Sequence, residues 1–151
     1  LTTRNGKVKK YFEDNSGHNK PKETPLPHGA ALMVSAKLVR EINLMPDIYF
    51  LYYEEYDWAE TFKRRGYKVY YVSRSTVYHK ASYTVGHQSV LKTYFLTRGR
   101  VLYLRRNIKG GNRLISLLFI TFVTLPIHVL LYLFRFQFNH LWAFLKGIAW
   151  H

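Results

Sequence analysis

From Leu114 to Phe134 the chain carries no formal charge, a run close to the ~20 residues that cross a bilayer core as helix. Pro126 and His128 lie inside this run, so it either spans with a kink or bends and leaves by the face it entered. Elsewhere apolar residues recur at helical spacing. Leu38, Val39 and Ile42 share one face of a helix predicted from Ala36 to Ile42. Trp58 and Phe62, four apart, share the apolar face of a helix that begins near Glu54 and stops at Gly66, with acids in its first turn and bases in its last. A third helix is expected from Ser89 to Arg106, striped by Leu91, Tyr94, Phe95, Val101, Leu102 and Tyr103. The tail, residues 136–151, sets Phe138, Leu141, Trp142, Leu145, Ile148 and Trp150 among His140 and Lys146, the pattern of an amphipathic helix lying in a membrane interface.

Two stretches read as strands. His28 to Ser35 is small and apolar, and Gly29-Ala30-Ala31 would let a ligand or another backbone approach closely. Lys68 to Val72 is the second; a turn at Ser73-Arg74-Ser75 and a short extended piece from Thr76 to His79 follow. Residues 1–27 are polar, basic and proline-bearing, and read as a loop or the remnant of a preceding part.

Charge narrows the partners. Twenty-three Lys and Arg against nine Asp and Glu leave a net +14, which calls for an anionic substrate, nucleic acid or acidic lipid. No recognisable nucleic-acid reading motif accompanies the charge, so nucleic acid is the weakest of these. There is no cysteine, hence no disulfide and no thiolate metal site. Arg105, Arg106, Lys109 and Arg113 crowd the front of the uncharged run while Arg135 follows it, which puts the preceding part in the cytoplasm.

Candidate chemistry gathers between Ile48 and His79. Aromatic residues Tyr49, Phe50, Tyr52 and Tyr53 lead into Glu54, Glu55, Asp57 and Trp58. The acids are either favourable charges at a helix N-terminus or a general base with neighbours that tune it. His79 is either a hydrogen-bonded strand-end histidine or a metal ligand. Arg98 and Arg100 either rest on acidic lipid or hold a diphosphate.

These segments come in an order that resembles a known family. Gly29-Ala30-Ala31-Leu32-Met33-Val34, Pro46 through Trp58, Arg65-Gly66-Tyr67, Val77-Tyr78-His79-Lys80 and Thr97-Arg98-Gly99-Arg100 together look like the C-terminal half of a family 2 inverting glycosyltransferase, rhamnosyltransferase-like. The resemblance covers roughly Pro27 to Asn107. It implies an α/β fold: the C-terminal half of a GT-A, Rossmann-like domain over residues 28–107. A transmembrane or re-entrant segment over 108–135 and an amphipathic helix over 136–151 would follow. It implies that Glu55 is the catalytic base, with Glu where the family has Asp, flanked by Glu54 and Asp57. Trp58 and Gly29 would line the acceptor pocket. His79 would help hold Mg²⁺ or Mn²⁺, and Arg98, Arg100 and Lys80 would meet the donor diphosphate. Gly99 stands where the family has Asn. The implied partners are a nucleotide-sugar donor, a saccharide or lipid-linked saccharide acceptor and the membrane. The implied place is the cytoplasmic side of a bacterial inner membrane, in surface polysaccharide synthesis. The nucleotide-binding half and its Asp-x-Asp motif have no counterpart in these residues, so the piece alone would bind donor weakly. The competing reading is a non-catalytic, basic membrane-binding module.

The hydrophobic run yields a direct test. The chain should partition into detergent, and truncation after Asn107 should release it into the aqueous phase; a truncated chain that still partitions with detergent would locate the anchor elsewhere.

Overall fold

The computed structural model describes residues 20–75, 77, 86 and 88–150. Residues 1–19, His79, Lys80 and, apart from Val77, the extended piece expected over Thr76 to His79 lie outside them. Of the described residues, 63% are helical and 3% are strand. The expected α/β, Rossmann-like architecture is therefore overturned. A parallel sheet needs several strands joined by crossovers. Here one antiparallel ladder joins β1 (Lys22–Glu23) to β2 (Tyr70–Tyr71), pairing Lys22 with Tyr71 and Glu23 with Tyr70.

The stretch from His28 to Ser35 shows why. Leu32 and Val34 are half-buried and Met33 is 97% exposed, so the alternation of a strand is present. No strand among the described residues pairs with it, and without a partner for its backbone groups an alternating stretch is not a sheet strand. Of the strand expected over Lys68 to Val72, Tyr70 and Tyr71 keep the ladder.

The described chain divides into two compact units. Residues 20–46, 55–75 and 77 form the first. Its α1 (Ala36–Ile42) starts at Ser35, whose Oγ accepts from the Leu38 N–H at 3.2 Å. The next helix, α2 (Glu54–Arg64), ends at Gly66 with φ +83°; the Gly66 N–H donates to Lys63 O and the Tyr67 N–H to Phe62 O. That is the paired closure for which glycine's left-handed freedom suits it. Ile42, Trp58 and Phe62 form the core, covered by Leu32, Val34, Leu38, Val39 and Met45. The Trp58 indole donates to Asn43 O at 3.1 Å, which ties α2 to the end of α1.

Residues 47–54, 86 and 88–150 form the second unit. Ser89 caps α3 (Val90–Asn107) by accepting from the Lys92 N–H at 3.1 Å. Then α4 (Gly110–Phe119), a π turn (Ile120–Thr124) and α5 (Leu125–Phe134) run on as one helix. The π turn answers Pro126. Proline has no N–H to donate and its ring crowds the carbonyl four residues back, here Phe122. The wider turn, in which the Leu125 N–H reaches Ile120 O, lets the helix continue instead of breaking. At ~1.5 Å per residue the span from Gly110 to Phe134 is roughly 37 Å, enough for a ~30 Å hydrocarbon core. It is the one helix among the described residues long and apolar enough to cross a membrane, and Thr124 is its one buried residue.

The last helix, α6 (Phe138–Ala149), turns back along α5: His128 stacks on Phe144 at 5.0 Å and Tyr132 on His140 at 5.8 Å. Against α3 it runs in the same direction, with Thr93 meeting His140 and Arg98 meeting Trp150. Of the amphipathic helix expected in the tail, the buried face is Ala143, Phe144 and Gly147, while Phe138 and Trp142 stay exposed.

A Cβ on Gly147 would sit 2.8 Å from the Thr97 Cβ, 3.0 Å from Tyr94 O and 3.1 Å from the Arg98 N. Two of these are backbone atoms that cannot rotate away. Gly147→Val should therefore part α3 from α6 and cost about 1–3 kcal/mol or more of stability. Gly111→Ala, where a Cβ meets nothing within 4 Å, should be neutral or gain up to ~1 kcal/mol. Thermal unfolding in one detergent compares them, and equal melting would disprove the close approach.

Candidate functional site

In the first unit the candidate base lies near the start of α2. Glu55 is half-buried, and its carboxylate lies over Gly29: a Cβ there would be 3.4 Å from Oε1 and 3.5 Å from Cδ. Gly29 is exposed and has no side chain to cover the carboxylate. Two residues on, Asp57 is 2% exposed, which removes its carboxylate from direct solvent access. Trp58 belongs to the core with Ile42 and Phe62, its ring 4.8 Å from the Phe62 ring and its N–H engaged by Asn43.

In the second unit the aromatic run is a strained loop on α3. A turn of 3₁₀ helix over Asp47–Tyr49 precedes Phe50, Tyr52 and Tyr53, whose φ angles are 62°, 66° and 74°. Non-glycine residues in the left-handed region cost on the order of 1–3 kcal/mol each and persist where neighbouring contacts impose them. Those contacts are visible. Arg98 donates from Nη2 to Ile48 O at 2.6 Å and from Nη1 to Tyr49 O at 3.3 Å. Its guanidinium lies 3.7 Å from the Trp150 ring centroid and 5.7 Å from that of Phe95. Gly99, buried beside it, admits the loop. A Cβ at that position would lie 2.8 Å from the Tyr53 ring and 3.1 Å from Tyr52 O. Phe50 packs on Phe95 at 5.1 Å and Tyr53 on Tyr103 at 5.9 Å.

The loop delivers Glu54, whose Oε2 is buried with no hydrogen-bond partner among the described residues. Tyr52 keeps its proton above the ordinary phenol range, because burial disfavours the phenolate and the nearby Glu54 charge adds to that. Arg100, exposed on α3, donates from Nε to the Tyr53 hydroxyl at 3.5 Å.

Of the residues singled out in the sequence, Glu55, Asp57, Trp58 and Gly29 thus fall in the first unit and Glu54, Arg98 and Arg100 in the second. Lys80 and His79 lie outside the described residues. Sequence reasoning missed the carbonyls of Ile48 and Tyr49 as the partners of Arg98, and Trp150 as the platform beneath it. The one available signal was Gly99, a glycine in the middle of an otherwise continuous helix, which points to a close approach. Among the described residues no three Asp, Glu, His or Cys side chains come together to hold a metal ion.

In comparisons with known proteins, no family model, curated protein or solved structure matches the chain.

Arg98→Met keeps much of the stem and removes the guanidinium. Amide exchange at residues 48–53 should speed up on the order of tenfold, the loss of charged hydrogen bonds worth about 1.5 kcal/mol or more. Unchanged protection there would show that the loop holds its strained form without Arg98.

Proposed function

We propose that this chain is part of a membrane-bound inverting glycosyltransferase and carries its general base and its membrane anchor. The observation that carries this reading is the half-buried Glu55 carboxylate, which lies over the exposed Gly29. The sugar leaves a nucleotide diphosphate. Glu55 accepts the proton of the acceptor hydroxyl as its oxygen bonds to the anomeric carbon. The carbon–oxygen bond to the diphosphate breaks from the opposite face, and the diphosphate departs with the electron pair. Inversion follows from that single in-line displacement. The acceptor is a saccharide, and a lipid-linked one fits a protein whose chain continues into an apolar helix. The donor carries the negative charge that the chain's net +14 favours. The charges flanking the apolar helix favour the cytoplasmic side of an inner membrane for the part before it.

A second reading, a basic membrane-binding module without catalysis, is favoured by the helix from Gly110 to Phe134 and the aromatic turn that follows. There Phe136 is held at φ 55° and is 80% exposed, with Phe134 equally exposed. Glycine would close that helix with less strain. Exposed rings beside Arg135 suit the headgroup level of a bilayer.

Glu55→Gln separates the two. In membranes carrying the protein that contains this chain, turnover of nucleotide-sugars should fall by a factor on the order of 10² to 10⁴, with donor binding nearly intact. Glu54→Gln should cost less. A Glu55→Gln protein that turns over within a few-fold of the parent would remove the base assignment. Membrane binding that depends on lipid charge and salt, with no turnover of any nucleotide-sugar by the parent, would leave the module.

A further inference from the structure

Within the second unit, α3, the π turn, α5 and α6 line a half-open cavity of about 340 Å³. Each helix gives it one stripe. Ser89, Lys92, Thr93, Leu96, Thr97 and Arg100 line it from α3 and its cap, all on one face at helical spacing. Ile120, Thr124, His128, Tyr132 and Arg135 line it from the apolar helix and its cap, again on one face. These polar positions mark the side of that helix turned away from lipid, where polar groups in such helices serve a site or a partner. Gln137, His140, Phe144 and Ile148 complete the wall.

The lining has a definite chemistry. Lys92, Arg100 and Arg135 are cationic, and no lining residue is acidic. The deficit is wider than the cavity, because no Asp or Glu follows Glu60 in the sequence. Arg100 reaches the neutral Tyr53 hydroxyl. Between the cations stand hydrogen-bonding groups. Thr93 Oγ1 and His140 Nδ1 are 2.9 Å apart, and His128 Nδ1 donates to Thr124 O at 2.8 Å, which fixes that ring's tautomer when neutral. Cations grouped with hydroxyl, amide and imidazole donors suit an anion that accepts many hydrogen bonds at once.

We propose that this cavity binds a phosphate monoester, with Lys92 and Arg135 meeting the anion near the cap of α3 and Arg100 meeting it from farther along the same stripe. The wall supplied by an otherwise apolar helix suits the headgroup of an amphiphile whose chain stays in the bilayer, and a free phosphate shares the same chemistry. The proposal stands apart from the reading of Glu55, since it concerns binding and involves no transfer step.

The test uses the full chain in neutral detergent, then reconstituted in phosphatidylcholine vesicles, and reads binding only. Phosphatidic acid in the vesicles is the lipid probe, inorganic phosphate and pyrophosphate are the free probes, and oleate is the carboxylate control. Phosphatidic acid should bind, and each of Arg135→Gln and Lys92→Gln should weaken it about tenfold or more. Arg105→Gln, exposed on α3 and outside the cavity lining, should weaken it less than twofold. Competition by free phosphate would identify the anion alone as the recognised group; lipid binding that free phosphate does not displace would add the apolar chain to it, and both support the site. Binding of oleate as tight as that of phosphatidic acid would overturn the phosphate assignment. An equal loss with Arg105→Gln would overturn the cavity as the site and leave diffuse attraction to charge. Absence of any binding by the parent chain would overturn the proposal outright.

Discussion

Where α6 crosses α3 there is no room for a side chain, and Gly147 provides that absence. The rest of the second unit follows from the contact. With the backbones this close, Trp150 at the end of α6 comes to lie under Arg98 at 3.7 Å. Held from below, the Arg98 guanidinium offers its fork to the carbonyls of Ile48 and Tyr49. The loop so gripped lies over Gly99, and there it sustains three left-handed aromatic residues in a row of four. Two glycines on two surfaces thus set the placement of Glu54, through packing and hydrogen bonds rather than through any feature of Glu54 itself.

The long apolar helix obeys a different constraint. In a bilayer core every backbone N–H and C=O must be satisfied within the protein. Pro126 removes one donor in the middle of the run, and the π turn before it rearranges the bonding so that the helix continues to Phe134. The same helix carries Thr124, His128 and Tyr132 along one side, where α3 and α6 cover them. Leu114, Ile115, Leu118, Phe122, Ile127 and Leu130 on the same helix are apolar and exposed.

Charge is distributed as unevenly as apolarity. The acids end at Glu60, before the helices that bear the cationic cavity. The first unit keeps its acids within local bonds where they can be traced. Glu60 pairs with Lys63 at 2.7 Å, Glu23 pairs with Lys68 at 3.1 Å, and the Glu41 carboxylate accepts from the Tyr67 hydroxyl. The exposed Glu23–Lys68 pair contributes little to stability.

The helices were legible because their signals are local. Ser35 and Ser89 cap with their own hydroxyls, Gly66 closes α2, and the apolar stripe of α1 faces the core that Trp58 and Phe62 build. A cap needs only the few residues beside it, so one sequence suffices to place it. The uncharged run likewise declares itself by length and composition. The strand expected over Lys68 to Val72 survives at Tyr70 and Tyr71, but the one expected over His28 to Ser35 does not, because alternation at Leu32, Met33 and Val34 describes only which side chains face inward. Whether a sheet forms depends on a second segment supplying backbone partners, and among the described residues that happens only between β1 and β2. The α/β expectation failed at that step. Tertiary contact alone decided that Arg98 grips two carbonyls, that Gly99 and Gly147 mark close approaches, and that three helices leave a polar cavity between them. Each of these depends on atoms far apart in the chain meeting within a few ångströms, which residue types and spacing do not encode one position at a time.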